Sequence, residues 1–405
     1  MMGSLQKFPS SRAHLQVGVG TQFYKYEIQM KLCRVVRMGR VLSFLLLFLF
    51  SLDSFGHTCN SEEKKLYVYA WAGSISQDIL KRFEKETGIK VIYDTYDSND
   101  TLEAKLLTGR SKFDLVSPSL SPNFLRQIEM QAFQPIQIEK LSNYKNLDPR
   151  ILKLIGKFEG GNRYGIPHTM GTTGFGYNKK KVRQYFPKGL PQSLSLLFKE
   201  ENIKKFQSCG VILLDFPQDI LESAQAFLGH VPQCQDKEKL QEALEVIRKI
   251  SPYIKEFTAN TDRAVRELAS GEACLVNMWS NDALAAQQQA DATHEGVDIG
   301  YMIPKEWPGL WIDMVAIPKN AKHPQNAHLF IDFLLRPDIA AEVVRTSLVA
   351  VPNTRIKPYL PKALQENPMI FIPEDVLSHL RIQANLSFRD ERMVMRQWTH
   401  FKLGW

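Results

Sequence analysis

The sequence predicts an α/β protein built as two lobes. Three observations lead there. Residues 65–116 alternate strand and helix at short spacing. The alternation returns around Val211–Leu214 and Ala273–Met278. The 405 residues are 44% hydrophobic and 23% charged, which is ordinary globular composition and enough chain for two or three domains.

The elements follow in order. Lys65–Tyr69 is a β-rich run ending in Ala70-Trp71. Ser74 to Gln77 has the spacing of a capping box. Ile79, Leu80, Phe83 and Thr87 then recur at helical spacing until Gly88 stops the helix. Val91–Tyr93 is a second strand, Ser98 and Asn99 can cap a helix carrying Leu102 and Leu106, and Gly109 closes it. Phe113–Val116 is a third strand, followed by Ser117-Pro118-Ser119. Such β-α-β-α-β order implies a parallel sheet with right-handed crossovers. Later come Val211–Leu214 with a helix over Gln218–Gly229, then helix Asp262–Leu268 before strand Ala273–Met278. Strand Trp311–Ile317 precedes a helix over Ala327–Leu335 that Pro337 ends.

The first 58 residues read as an address. Val41–Leu52 is twelve uncharged, strongly apolar residues behind Arg37 and Arg40, with Ser54 and Gly56 after it. That is the layout of a secretory signal peptide and too short to span a bilayer comfortably. Residues 38–58 are therefore expected to be the signal, starting at Met38, and 1–37 an extension or an over-called start. Cys59 sits where a lipid-modified cysteine would sit, so anchoring is an open expectation. Of the net charge of +8, this segment contributes +5; the remaining 347 residues hold 44 basic and 41 acidic side chains. Composition thus gives no nucleic-acid face, and the run Lys179–Lys181 with Arg183 reads as a solvated surface.

Five cysteines show no CxxC and no zinc spacing. An oxidising destination permits a pair among Cys209, Cys234 and Cys274. Matching strand and helix lengths put Cys209 and Cys234 at one end and make that pair the candidate bridge; free buried thiols are the plainer reading.

In open α/β sheets, ligands sit beyond the carboxyl ends of strands. Trp71, Ser119, Asp215 with Asp219 a turn later, Trp279, and Trp311 with Asp313 all stand at or on such strands. Indole faces attract cations and carboxylates bind ammonium groups, so together they would box an organic cation. Singly, the acids also read as helix caps and the tryptophans as core.

Seven stretches resemble, in order, the spermidine/putrescine-binding proteins of ABC importers: KLYVYAWAGSI, FEKETGIKVIYDTYDSNDTLEAKL, FDLVSPS, YGIPHTMGTTGFGYNKK, GEACLVNMW, GLWIDMVAIPKNAK and FIDFLLRPDIAAEV. The resemblance spans residues 64–405 and implies a type II periplasmic-binding-protein fold, two hinged α/β lobes each with a central sheet. It divides the chain into 59–168 plus 313–357 for lobe 1 and 169–312 plus 358–405 for lobe 2, with crossings near Pro167–Met170, Ile312–Met314 and Pro352–Pro358. It implies a monomeric periplasmic protein that captures a polyamine and passes it to permease and ATPase subunits, with no cofactor and no metal. The implied ligand residues are Trp71, Ser119, Asp219, Trp279, Trp311 and Asp313, with Trp279 and Trp311 enclosing the methylene chain. Ser74, Ser121 and Val349 replace tyrosines usual in polyamine binders, and Phe216 replaces an aspartate; Gln383 is a candidate for the family's C-terminal glutamine. Another solute, such as an amino acid, another amine or a metal ion, is the competing expectation. An enzyme is not expected: no GxSxG, HExxH, P-loop or strand-linked GxGxxG occurs.

Overall fold

The computed structural model describes residues 62–108, 111–232, 236–294 and 296–404. The expected signal peptide, Cys59, Gly109 and Cys234 lie outside them. The described strands are β1 (Lys65–Trp71), β2 (Lys90–Tyr96), β3 (Leu115–Val116), β4 (Gly165–Asn178), β5 (Val211–Leu214), β6 (Glu256–Thr258), β7 (Leu275–Trp279), β8 (Ile299–Met302), β9 (Gly309–Ala316) and β10 (Arg381–Ile382). The longer helices are α1 (Gln77–Thr87), α2 (Asn99–Leu107), α3 (Pro217–Phe227), α4 (Lys237–Ile250), α5 (Thr261–Ser270), α6 (Ser280–Thr293), α7 (Pro324–Leu334), α8 (Pro337–Ser347) and α9 (Phe388–Lys402).

In one mixed sheet, the parallel runs β2-β1-β3 and β7-β5-β6 flank the antiparallel pair β9-β4, with β10 beside β9 and β8 beside β4. β4 and β9 run side by side from Gly165↔Ala316 to Thr173↔Gly309, with an irregularity between Pro167 and Thr169. The two strands thus link both halves. Each half has its own core. Phe83 meets Phe330 and Phe333 at 4.8 and 5.3 Å beneath β1, in a cluster that includes Ile166 and Val315. Leu213, Leu221, Leu244 and Leu275 pack around β5 in the other half. Leu360 and Ile370 join the first core, whereas Leu386, Val394, Trp398 and Phe401 join the second. Burying one such large apolar side chain stabilises by about 1.5–3 kcal/mol.

Local chemistry follows the sequence with three corrections. Ser76, not Ser74, caps α1, accepting from the Ile79 N–H at 3.4 Å; the Ser74 hydroxyl instead donates to the Trp71 carbonyl at 2.8 Å. Ser98 caps α2 and Gly88 ends α1 at φ 71°, a left-handed conformation glycine adopts without a Cβ clash. Pro337 stops one helix and starts the next: α7 ends at Leu334, and the proline takes the first turn of α8, where a missing N–H costs nothing. The third correction is the disulfide. Cys209 pairs with Cys274, Cα to Cα 5.7 Å, not with Cys234. β5 and β7 are parallel neighbours with Val211 opposite Leu275, so the residues entering the two strands meet. Mass analysis of the unreduced protein should therefore show Cys209 linked to Cys274. The bridge spans a sequence separation of 65, and replacing both cysteines by serine should cost about 3–4 kcal/mol of unfolding free energy.

Candidate functional site

Trp71, Ser119, Asp219, Trp279, Trp311 and Asp313 are all partly exposed, although most of their strand neighbours are fully buried. They are therefore not part of the core. On β9, Leu310, Ile312 and Met314 are buried and the alternate Trp311 and Asp313 point the other way.

Asp313 forms the first pole. Its carboxylate accepts from the Ser119 hydroxyl at 2.7 Å and the Thr169 hydroxyl at 3.0 Å. Thr169 is its strand partner across β4, and Ser119 bridges to it beyond β3. Asn99, at the start of α2, holds the Ser119 N–H at 3.2 Å. Burial raises the Asp313 carboxyl to about 6 even though these hydroxyls, and the Trp71 indole, favour the ionised form. The Trp71 N–H lacks a well-formed hydrogen bond of its own. Its ring lies 4.7 Å from Tyr96, and the nearby Asp313 charge adds to the burial that disfavours tyrosinate there.

Trp311 lies flat on β4. A Cβ at Gly171 would come within 2.3 Å of its ring, so only glycine lets the indole approach the backbone. Across β4, the Thr172 N–H donates to the Ser280 hydroxyl at 3.2 Å, tying β4 to the start of α6.

The second pole is Asp219, in the first turn of α3. Burial pushes it up to about 7, with the Trp279 indole pulling in the opposite direction. Trp279 ends β7, and its ring meets Phe216 at 5.0 Å. The Gln383 side-chain amide donates to Asp219, and the Gln383 carbonyl accepts from the Ser121 hydroxyl at 3.0 Å. Gln383 thus ties the Asp219 pole to the Ser119–Ser121 segment. One turn along α3, the buried Glu222 is raised to about 8, chiefly by burial. Its Oε1 accepts from Gln218 at 2.7 Å and from the Ala384 N–H at 3.2 Å, which fixes the segment bearing Gln383.

Asp282 was missed by the sequence reading. It stands in the first turn of α6, three residues after Trp279, and burial raises it to about 7. Asn281 donates to one oxygen at 2.8 Å; the other is buried without a partner. Tyr301 donates to the Thr172 carbonyl at 2.7 Å, and the charges of Asp282 and Asp219 add to the burial that disfavours its ionised form.

Two sequence expectations fall outside this constellation. Asp215 accepts from the Trp398 indole at 2.6 Å and pairs with Lys402 at 2.5 Å, so it anchors α9. Val349 is a core residue, 7% exposed. Asp219, Asp282 and Asp313 have no ion-pairing Lys, Arg or His among the described residues; their partners are hydroxyls, amides and indoles. Desolvated carboxylates without cationic partners, beside indole faces, are chemistry suited to a ligand with several positive charges.

Comparison with known proteins agrees with that chemistry. The family described as bacterial extracellular solute-binding protein matches residues 78–371. The putrescine-binding periplasmic protein SpuD of Pseudomonas aeruginosa is 39% identical over 85% of this chain and 93% of its own. The putrescine-binding periplasmic protein PotF of Escherichia coli is 37% identical over 86% and 94%. The crystal structure of the spermidine/putrescine substrate-binding protein PotD of Streptococcus pneumoniae superposes with a TM-score of 0.72 at 25% identity, covering 84% of this chain and 99% of that one.

Proposed function

The chain belongs to the bacterial extracellular solute-binding protein family, and on that premise we propose that it captures a polyamine such as putrescine or spermidine and delivers it to the permease and ATPase subunits of an ABC importer. The observation that carries this reading is the set Asp219, Asp282 and Asp313, three partly buried carboxylates raised in pKa and lacking cationic partners among the described residues. Trp71 and Ser119 serve the Asp313 pole. Trp279 and Trp311 flank the methylene chain, and Gln383 exchanges its hydrogen bond to Asp219 for one to the ligand. The protein catalyses nothing in this role; its work is binding and release.

The ligand lies between two lobes, 59–168 plus 313–357 and 169–312 plus 358–405 as the sequence divides them. The membership of Leu360 and Ile370 in the first core favours a later third crossing, near Arg381–Leu386. The protein works outside the cytoplasmic membrane as a monomer, exported by residues 38–58, with Cys59 available for a lipid anchor.

Calorimetric titration with putrescine, spermidine, cadaverine, arginine and glutamate tests this. Binding of one or more polyamines without glutamate binding is expected. Binding of glutamate alone would overturn the reading, because it would put an anion among three carboxylates.

A further inference from the structure

Helix α9 has a face that the cleft does not use. Val394, Trp398 and Phe401 are buried and fix the helix to the second core. At about 100° per residue, the opposite arc of about 120° carries Phe388, Arg389, Arg392, Met395, Arg396 and Leu403. The three arginines are exposed. Phe388 is 40%, Met395 48% and Leu403 56% exposed, although the inner side of Phe388 covers the Arg126 guanidinium at 4.0 Å.

Cations outnumber acids on this face. Of the helix's own acids, Glu391 pairs with Arg126, and Asp390 accepts from the Ser387 hydroxyl and keeps its charge. No carboxylate among the described residues pairs with Arg389, Arg392 or Arg396. Beside the arc, a groove of about 650 Å³ runs between α9 and α4, lined by Lys237, the same three arginines and one acid, Asp390, over Leu240 and Met393. Beyond residue 58 the chain is nearly balanced in charge, so four cations on one groove do not reflect a general excess.

We propose that this face of α9 docks the protein on an anionic phospholipid surface. Arg389, Arg392, Arg396 and Lys237 meet headgroup phosphates, while Phe388, Met395 and Leu403 enter the interface. The interleaving of large apolar and cationic side chains on a single exposed helical arc is the reason for choosing lipid. A bilayer surface accepts both kinds along about 20 Å of helix without shape matching. An acidic protein segment would satisfy the arginines and leave the apolar residues in water. Such docking would hold the protein beside the membrane that carries its transporter, and would add to any anchor at Cys59.

The test is vesicle sedimentation of the exported protein carrying Cys59→Ser, so that no acyl chain contributes. Expected is sedimentation with phosphatidylglycerol vesicles, weakened by salt, and none with phosphatidylcholine vesicles. Arg389→Glu with Arg392→Glu and Arg396→Glu should lower the association about tenfold or more at an unchanged melting temperature. Met395→Ser with Leu403→Ser, which alters no charge, should also lower it. Equal sedimentation with both lipids, none with either, or a folded arginine variant that still sediments would overturn the proposal. Loss of association with the reconstituted importer in phosphatidylcholine discs, without any phosphatidylglycerol binding, would reassign the face to an acidic protein partner.

Discussion

Asp313→Asn should lower polyamine affinity by about 10- to 300-fold and leave the ligand-free protein at least as stable. A charged hydrogen bond contributes about 1.5–3 kcal/mol, more if the amine is left buried and unpaired, and each 1.4 kcal/mol is about tenfold in affinity. Asparagine keeps the size and can still bond Ser119 and Thr169, whose hydroxyls rotate. Burial already disfavours the charge, as the rise to about 6 records, so removing it relieves the empty protein. A purely structural Asp313 would reverse the pattern, with melting temperature falling first and affinity falling only with the folded fraction. Melting and calorimetry on one sample separate these outcomes.

Acidification should weaken binding, and binding should release protons. Burial pushes Asp219 and Asp282 up to about 7 and Asp313 up to about 6. An ammonium ligand favours the ionised forms, so each carboxyl protonated beforehand must give up its proton. Below its pKa, each such group costs about tenfold in affinity per pH unit. Between pH 8 and pH 6 the fall should reach about 200-fold, with about one proton released per ligand near pH 7. Calorimetry in buffers of different ionisation enthalpy measures that proton directly. Stability without ligand runs the other way. A carboxyl whose folded pKa is raised binds more protons folded than unfolded, so its contribution falls as pH rises from about 4 through 7. Asp219→Asn and Asp282→Asn should flatten both dependences. A pH-independent affinity would remove these carboxylates from the site.

Much of this was legible because strand and helix periodicities are local. Trp311 and Asp313 are two residues apart on a strand, so a shared face followed from the pleat alone. Trp71 and Ser119 became candidates by asking what stands beyond strand ends. Asp282 was missed although the signal that marked Asp219 was present: it too lies in the first turn of a helix following a strand. An acid there usually does no more than complement the helix dipole, so its position alone does not single it out. The disulfide and Asp215 failed for a different reason, because both depend on long-range order. Which strand lies beside β5 is not written in segment lengths, yet it brings Cys274 to Cys209. Asp215 is taken by Trp398 and Lys402 on a helix more than 180 residues downstream. Thr169 reaches Asp313 through the register of β4 on β9, which no local pattern fixes.

A crystal structure of the protein grown with putrescine tests the central claim most directly. The account predicts the diamine in the cleft, one ammonium on Asp313 beside Trp71, the other toward Asp219 and Asp282, and its methylenes between Trp279 and Trp311. A diamine seated elsewhere, with Asp313 still bonded only to Ser119 and Thr169, would contradict it.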